Sequence, residues 1–290
     1  VASLVGSEMC IRDRIKRFKW PSMTDHKYKR GHVLVRSGPT ISTGASRLAA
    51  VSALRAGAGA VTLASDSDSL LVNASHLTSV MLKEINNADD FFNFVKEKKI
   101  NTLIIGPGCG VNQITKELVI RAIKSEISFV LDADGLTLFQ KNPNELFDLL
   151  NKRRKRENII LTPHEGEFNR LFDFGKMSKI DKANRAANIT KSTILFKGND
   201  TIISSPKKIS LITKDSSSFL ATAGSGDVLS GICGSFLGQG MKSHYAAAAA
   251  SWIHNEIGLD AGPGLIAEDM NKFISKIMSK KLKRIYENGN

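Results

Sequence analysis

The segment Thr222-Ala223-Gly224-Ser225-Gly226-Asp227 puts two glycines and a carboxylate directly ahead of the apolar run Val228-Leu229-Ser230-Gly231-Ile232. Two glycines separated by one serine let the backbone turn sharply and approach a ligand closely. The apolar run reads as a helix, so its free N–H groups and positive dipole end point at the same spot, an arrangement that holds phosphate. Asp227 then stands in the first helical turn. A carboxylate beside a phosphoryl group suits removal of the proton from an attacking hydroxyl. An acid in a first helical turn is also an ordinary helix-start device, and spacing alone leaves both roles open.

Four more clusters carry chemistry-capable residues. Lys197-Gly198-Asn199-Asp200-Thr201 lies between two apolar runs and reads either as a tight hairpin turn or as a lysine and turn backbone wrapped around a nucleotide. Thr162-Pro163-His164-Glu165-Gly166-Glu167 gives a charged helix start or a contact for substrate or Mg²⁺. In Asp132-Ala133-Asp134-Gly135 the paired carboxylates are expected to cap a helix and make a turn, with Mg²⁺ binding as the alternative. Gly106-Pro107-Gly108-Cys109-Gly110 and the loop around Ser37-Gly38 and Thr43-Gly44-Ala45 allow close backbone approach to a flat ring or tight helix packing. Neither GxGxxG nor GxxxxGK[ST] occurs, so the dinucleotide fingerprint and the Walker loop are both excluded.

These clusters need elements to hold them. Short apolar strands are expected at 32–35, 60–64, 102–105, 129–131, 159–161, 193–196 and 201–203. Helices are expected at 44–56 and 114–124, and after Gly226, Lys242 and Ile266. Continuous apolar strands alternating with helices predict a mostly parallel sheet covered on both faces. Ligands in such sheets bind beyond the carboxyl ends of the strands, and every cluster above follows a strand or opens a helix. Residues 1–27 lack this alternation and read as a leader outside the fold, leaving one domain over 28–285.

Bulk properties narrow the classes. A chain of 290 residues with 42% hydrophobic and 24% charged residues has material for one substantial core. No apolar run approaches membrane-spanning length, and three scattered cysteines fit a reducing, cytoplasmic compartment. The net charge of +13 is concentrated at 12–36, 152–156 and 272–284. It reads as solvated surface rather than a nucleic-acid site, because no aromatics interleave with the 152–156 run as stacking on a single strand requires.

The clusters also occur in a telling order. STGASRLAAVSALRAGAGAVTLAS, LIIGPGCG, VLDADGLTLF, ILTPHEGEFNRLF, LFKGNDTIISS, ATAGSGDVLSGICGSFLGQG and AAAAASWIHNEIGLDAGPG follow one another as they do in the NAD(P)H-hydrate dehydratase family, which this chain resembles over about 28–280. The resemblance implies a ribokinase-like three-layer α/β/α sandwich with a central, mainly parallel sheet, often assembled as a homotetramer. It implies removal of water from hydrated NADH or NADPH, driven by ADP or ATP with Mg²⁺. It assigns Lys197, Gly198, Asn199, Asp200, Thr201, Gly224, Ser225 and Gly226 to the adenine nucleotide. Ala45, Gly108, His164 and Asp227 go to the hydrated cofactor, with Asp227 as the catalytic base. A kinase of the same fold acting on a small-molecule hydroxyl, such as a vitamin precursor, is the alternative.

Overall fold

The computed structural model describes residues 26–154, 158–213 and 216–282. The expected leader lies outside the described residues apart from His26 and Lys27, as do residues 155, 156, 283 and 284 of the basic runs. The first half of the fold is built from β1 (His32–Arg36), α1 (Thr43–Arg55), β2 (Ala60–Ser65), α2 (Ser67–His76), β3 (Met81–Glu84) and α3 (Ala88–Glu97), then β4 (Thr102–Ile105), α4 (Gln113–Ser125), β5 (Ser128–Leu131), the short α5 (Asp134–Thr137) and α6 (Pro143–Lys152). The second half holds β6 (Ile159–Leu161), α7 (Glu165–Leu171), α8 (Lys179–Thr190), β7 (Thr193–Phe196), β8 (Thr201–Ser204), β9 (Leu211–Thr213), α9 (Ser225–Gly238), α10 (Ser243–Ala261) and α11 (Ala267–Ile277).

The nine strands form one sheet in the order β3-β2-β1-β4-β5-β6-β7-β8-β9. Pairing is parallel from β3 through β7 and antiparallel where β8 and β9 are added. Alternate side chains of the strands other than β3 enter two separate cores. Val33, Val35, Ile104, Val130, Ile160 and Leu195 face α1, α9, α10 and α11. Leu34, Leu103, Ile105, Phe129, Leu131 and Phe196 face α3, α4, α6, α7 and α8. The expected three-layer α/β/α sandwich is therefore observed, and strands buried on both faces explain their unbroken apolar text.

Several elements lie outside those expected from the sequence. β3 is a mostly exposed edge strand of sequence MLKE, with little apolar signal. α2, α3, α6 and α8 are half-exposed surface helices, and β9 is only three residues long. Arg153 also departs from the solvated-surface reading of its basic run. It is buried, donating to the carbonyls of Ala122, Ile123 and Ile127 and lying over the Phe129 ring, and burial lowers its pKa to about 10. Loose carbonyls at the end of α4 are thereby satisfied, a role set by tertiary contact and not by composition.

Helix α9 is pressed tightly on α1. A Cβ at Gly231 would stand 1.9 Å from Ser52 Oγ and 2.2 Å from the Ala49 carbonyl oxygen. Gly231→Ala should therefore push α9 outward and cost about 1–3 kcal/mol, read as a lower denaturant midpoint; an unchanged midpoint would mean that α9 is free to shift.

Candidate active site

Strands β1 to β7 all end at one edge of the sheet, so the residues that follow them meet there. Asp132 directly follows β5 and is 1% exposed. Lys197 directly follows β7, two strands away, and its Nζ lies 2.8 Å from Asp132 Oδ1. Ser230, from the second turn of α9, donates to Asp132 Oδ2 at 2.6 Å. Both oxygens of a buried carboxylate are thus engaged, as burial requires. Glu167 Oε2 lies 3.9 Å from the same ammonium and accepts from the His164 backbone N–H at 2.9 Å. Burial works against the charge on Lys197, but Asp132, Glu167 and Asp227 together outweigh it and hold the ammonium above its usual range. Burial raises the Glu167 carboxyl, with Lys197 offsetting part of the effect.

Helix α9 opens on Gly224 at φ +85°, where a Cβ would stand 2.6 Å from Leu48 Cδ1 and 2.9 Å from Ala267 Cβ. A Cβ at Gly226 would come within 3.3 Å of Lys197 Nζ. No side chain caps α9; the Ser225 N–H donates to the Thr222 carbonyl at 3.3 Å, which leaves the Gly226 and Asp227 amides for an anion beside the lysine. Asp227 stands in that turn. Burial first, and then the nearby Asp132, raise its carboxyl to about 7 against the opposing pull of Lys197. A carboxyl of this strength at neutral pH suits a general base.

Two walls flank this turn. On one side a cavity of about 330 Å³ is lined by His164, Lys197, Gly198, Asn199, Thr201, Thr222, Ser225, Gly226 and His254, together with Ser216 to Ser218 and Leu220. On the other side the start of α1 meets the loop after β4. Ser42 Oγ donates to the Gly108 carbonyl at 2.8 Å, and a Cβ at Gly108 would stand 3.2 Å from Ala45 Cβ. Gly110 N–H donates to Asp134 Oδ2 at 2.8 Å, which ties this loop to the residues after β5.

The residues picked from sequence therefore fall into two groups, and Asp227, in the α9 turn, acts electrostatically on Cys109 of the loop after β4. Ala45 and Gly108 touch each other. His164 instead lines the cavity with Lys197, Gly198, Asn199, Thr201, Ser225 and Gly226. Its Nδ1 accepts from the Gly166 and Glu167 amides in a capping box at the start of α7. Asp200 is not among the lining residues; its carbonyl, like that of Lys197, accepts from Lys179. The capping role expected of Asp132 and Asp134 is overturned. α5 is capped by Ala133 without a side-chain bond, while Asp132 serves Lys197 and Ser230 and Asp134 serves the Gly110 loop. Those partners come from other parts of the chain and leave no local trace.

The family model for NAD(P)H-hydrate dehydratase matches residues 33–279. The chain belongs to this family. It is 32% identical to the ADP-dependent (S)-NAD(P)H-hydrate dehydratase of Neisseria meningitidis over 246 residues, covering 82% of this chain and 79% of that protein. It spans about half the length of the bifunctional curated relatives it matches. A ribokinase-like superfamily protein from Enterococcus faecalis superposes with a TM-score of 0.81 at 19% identity, covering 96% of this chain and 95% of that one. The ADP/ATP-dependent NAD(P)H-hydrate dehydratase of Bacillus subtilis, co-crystallised with ATP and Mg²⁺, gives 0.77 at 21% identity, covering 95% and 97%.

Within this dehydratase-family site, sequence reasoning missed Ser230 and His254 entirely. Ser230 lies in the quoted GSGD run, one turn past Asp227, so helical spacing would have flagged it. His254 lies mid-helix in an alanine-rich run, with nothing local to mark it. The residues also fit a magnesium ion brought by the nucleotide. Among the described residues no group of three or more His, Cys, Asp or Glu is placed to hold a metal. Mg²⁺ usually binds through one or two carboxylates plus phosphate oxygens and water, and Glu167 beside Lys197 supplies such a carboxylate.

Proposed function

We propose that this protein converts hydrated NADH or NADPH back to the intact cofactor at the expense of ADP or ATP. The observation that carries this reading is the position of Asp227. It stands in the first turn of an uncapped helix, next to cavity residues Ser225 and Gly226 and within electrostatic reach of Lys197 and of Cys109 in the loop that carries Gly108. Gly198, Asn199, Thr201, Gly224, Ser225 and Gly226 would cradle the adenine nucleotide, with Asp200 shaping the turn behind them. The hydrated ring would lie against Ala45 and Gly108. His164 rims the nucleotide cavity, apart from its expected partners Ala45 and Gly108, which do not line it.

Asp227 takes the proton of the hydrate's hydroxyl, and that oxygen attacks the terminal phosphorus. The nucleotide leaves one phosphoryl group shorter. The α9 amides and Lys197 stabilise the charge on the transferring group. Mg²⁺, when bound, neutralises phosphate charge. The ring nitrogen's lone pair then expels the new phosphate as the C–O bond breaks, and loss of a proton from the adjacent carbon restores the dihydropyridine. The net change is hydrate plus ATP to NAD(P)H, ADP, phosphate and a proton, or the same from ADP to AMP.

The carboxyl at about 7 sets the pH dependence. A base acts ionised, so kcat/KM should rise with pH and level off above about 7; a flat profile from pH 5 to 8 would remove Asp227 from the base role. The activity itself is tested by incubating the protein with NADH hydrate, Mg²⁺ and either ADP or ATP and following the absorbance of reduced nicotinamide. Nucleotide-dependent recovery supports the reading and names the donor. No recovery from folded protein would turn the assignment to a kinase of a small-molecule hydroxyl. The same reading carries a cytoplasmic homotetramer; no helix among the described residues is long and apolar enough to cross a membrane. Sedimentation velocity checks the assembly.

A further inference from the structure

His254 projects from the middle of α10 into the nucleotide-side cavity, where its Nε2 lies 3.0 Å from the Ser225 carbonyl oxygen and 2.9 Å from Ser225 Oγ. A carbonyl can only accept, so Nε2 carries the hydrogen. Burial, reinforced by the charge on Lys197, lowers this imidazole to about 4, so the ring stays neutral at physiological pH. With Nε2–H shared between the carbonyl and Oγ, the serine oxygen acts as acceptor toward the ring. Its own hydrogen is left to point elsewhere. Ser225 is 5% exposed and is the first residue of α9, beside Gly226 and across from Lys197. The direction open to that hydrogen is the cavity itself.

We propose that His254 is a positioning residue that fixes the rotamer of the Ser225 hydroxyl so that it donates to a phosphate oxygen of the bound nucleotide. This rests on the nucleotide assignment of the cavity given above. A serine hydroxyl ordinarily rotates among three staggered wells, and an aimed donor beside Lys197 strengthens the anion site without adding a charge. The imidazole also ties α10 to the turn between Gly224 and Asp227. Because His254 acts through Ser225, removing either group should remove the same interaction.

The test is calorimetric titration of the full chain with Mg²⁺ and ATP, and separately ADP, without hydrate, on wild type, His254→Ala, His254→Gln, Ser225→Ala and the double variant His254→Ala/Ser225→Ala. Gln places an N–H where Nε2 stands, so it should restore the donor. His254→Ala and Ser225→Ala should each weaken nucleotide binding roughly tenfold, the double variant no more than either alone, and His254→Gln should stay close to wild type. Additive losses, or a Gln variant as weak as the Ala variant, would overturn the positioning role while leaving the nucleotide cavity intact. If wild type itself takes up neither nucleotide, the cavity assignment falls and this inference falls with it. Ser225→Ala deletes one hydroxyl from a helix start, so its result stands even if His254→Ala fails to fold.

Discussion

Replacing Asp227 with Ala should lower hydrate turnover roughly a thousandfold while adenine nucleotide still binds. The substitution deletes the only proton acceptor assigned to the reacting hydroxyl, yet it leaves the Gly224–Gly226 turn, Lys197 and the α9 amides in place. Asp227→Asn should be as inactive, since the amide keeps the shape and loses the basicity. Single-turnover absorbance measurements with nucleotide titrations on the same samples separate the two effects. Turnover within tenfold of wild type would move the base elsewhere. Stability should run the opposite way. Folding raises this carboxyl from the ordinary aspartate range to about 7, so the folded chain holds a proton that the unfolded chain releases. Stability from this group therefore falls as pH climbs through that window. Asp227→Asn should accordingly unfold at a higher temperature than wild type at pH 8, a trade of stability for function common at active sites.

Lys197→Met should be the most damaging change to the fold at this site. It strands the carboxylate of Asp132, which is 1% exposed and 2.8 Å from the lysine Nζ. Breaking a buried ion pair from one side costs roughly 3–5 kcal/mol, about 10 °C in Tm for a chain of this size. Nucleotide binding should be lost with it, because the cation facing the phosphates is gone. Adding Asp132→Asn to the Lys197→Met chain removes the stranded charge and should recover a good part of the Tm but none of the binding. Thermal unfolding of the two single variants and the pair checks this. A Lys197→Met protein melting within about 2 °C of wild type would show that water, and not the lysine, satisfies Asp132.

The sheet and the glycine-rich turn were readable because their signals are local. Leu103-Ile104-Ile105 is apolar without a break because both of its faces are covered, and Gly224 is needed where φ is positive. Asp132 was misread for the opposite reason. Its role depends on a lysine 65 positions later and a serine 98 positions later, and no window around Asp132 contains either. His254 was unreadable in the same way, since its only distinction is the residue it touches. Arg153 shows that a basic run can hide one inward-pointing member. Local text gives the backbone of such a site, and long-range pairing decides which polar groups point into it.

The order of the elements along the chain has a consequence for synthesis. All nine strands of the described residues precede residue 214, whereas the amides of Gly226 and Asp227 and the imidazole of His254 follow it. A nascent chain can therefore complete its sheet on the ribosome, with Lys197 to Thr201 in place, before it owns the α9 half of the nucleotide cradle. Three of the four helices of one layer, α9 to α11, are then still missing from a face carrying Val33, Ile104, Val130 and Leu195. During that interval the exposed face is a natural substrate for chaperones, and added nucleotide can offer no protection. Rescue by nucleotide during translation should begin only after α10 has left the exit tunnel.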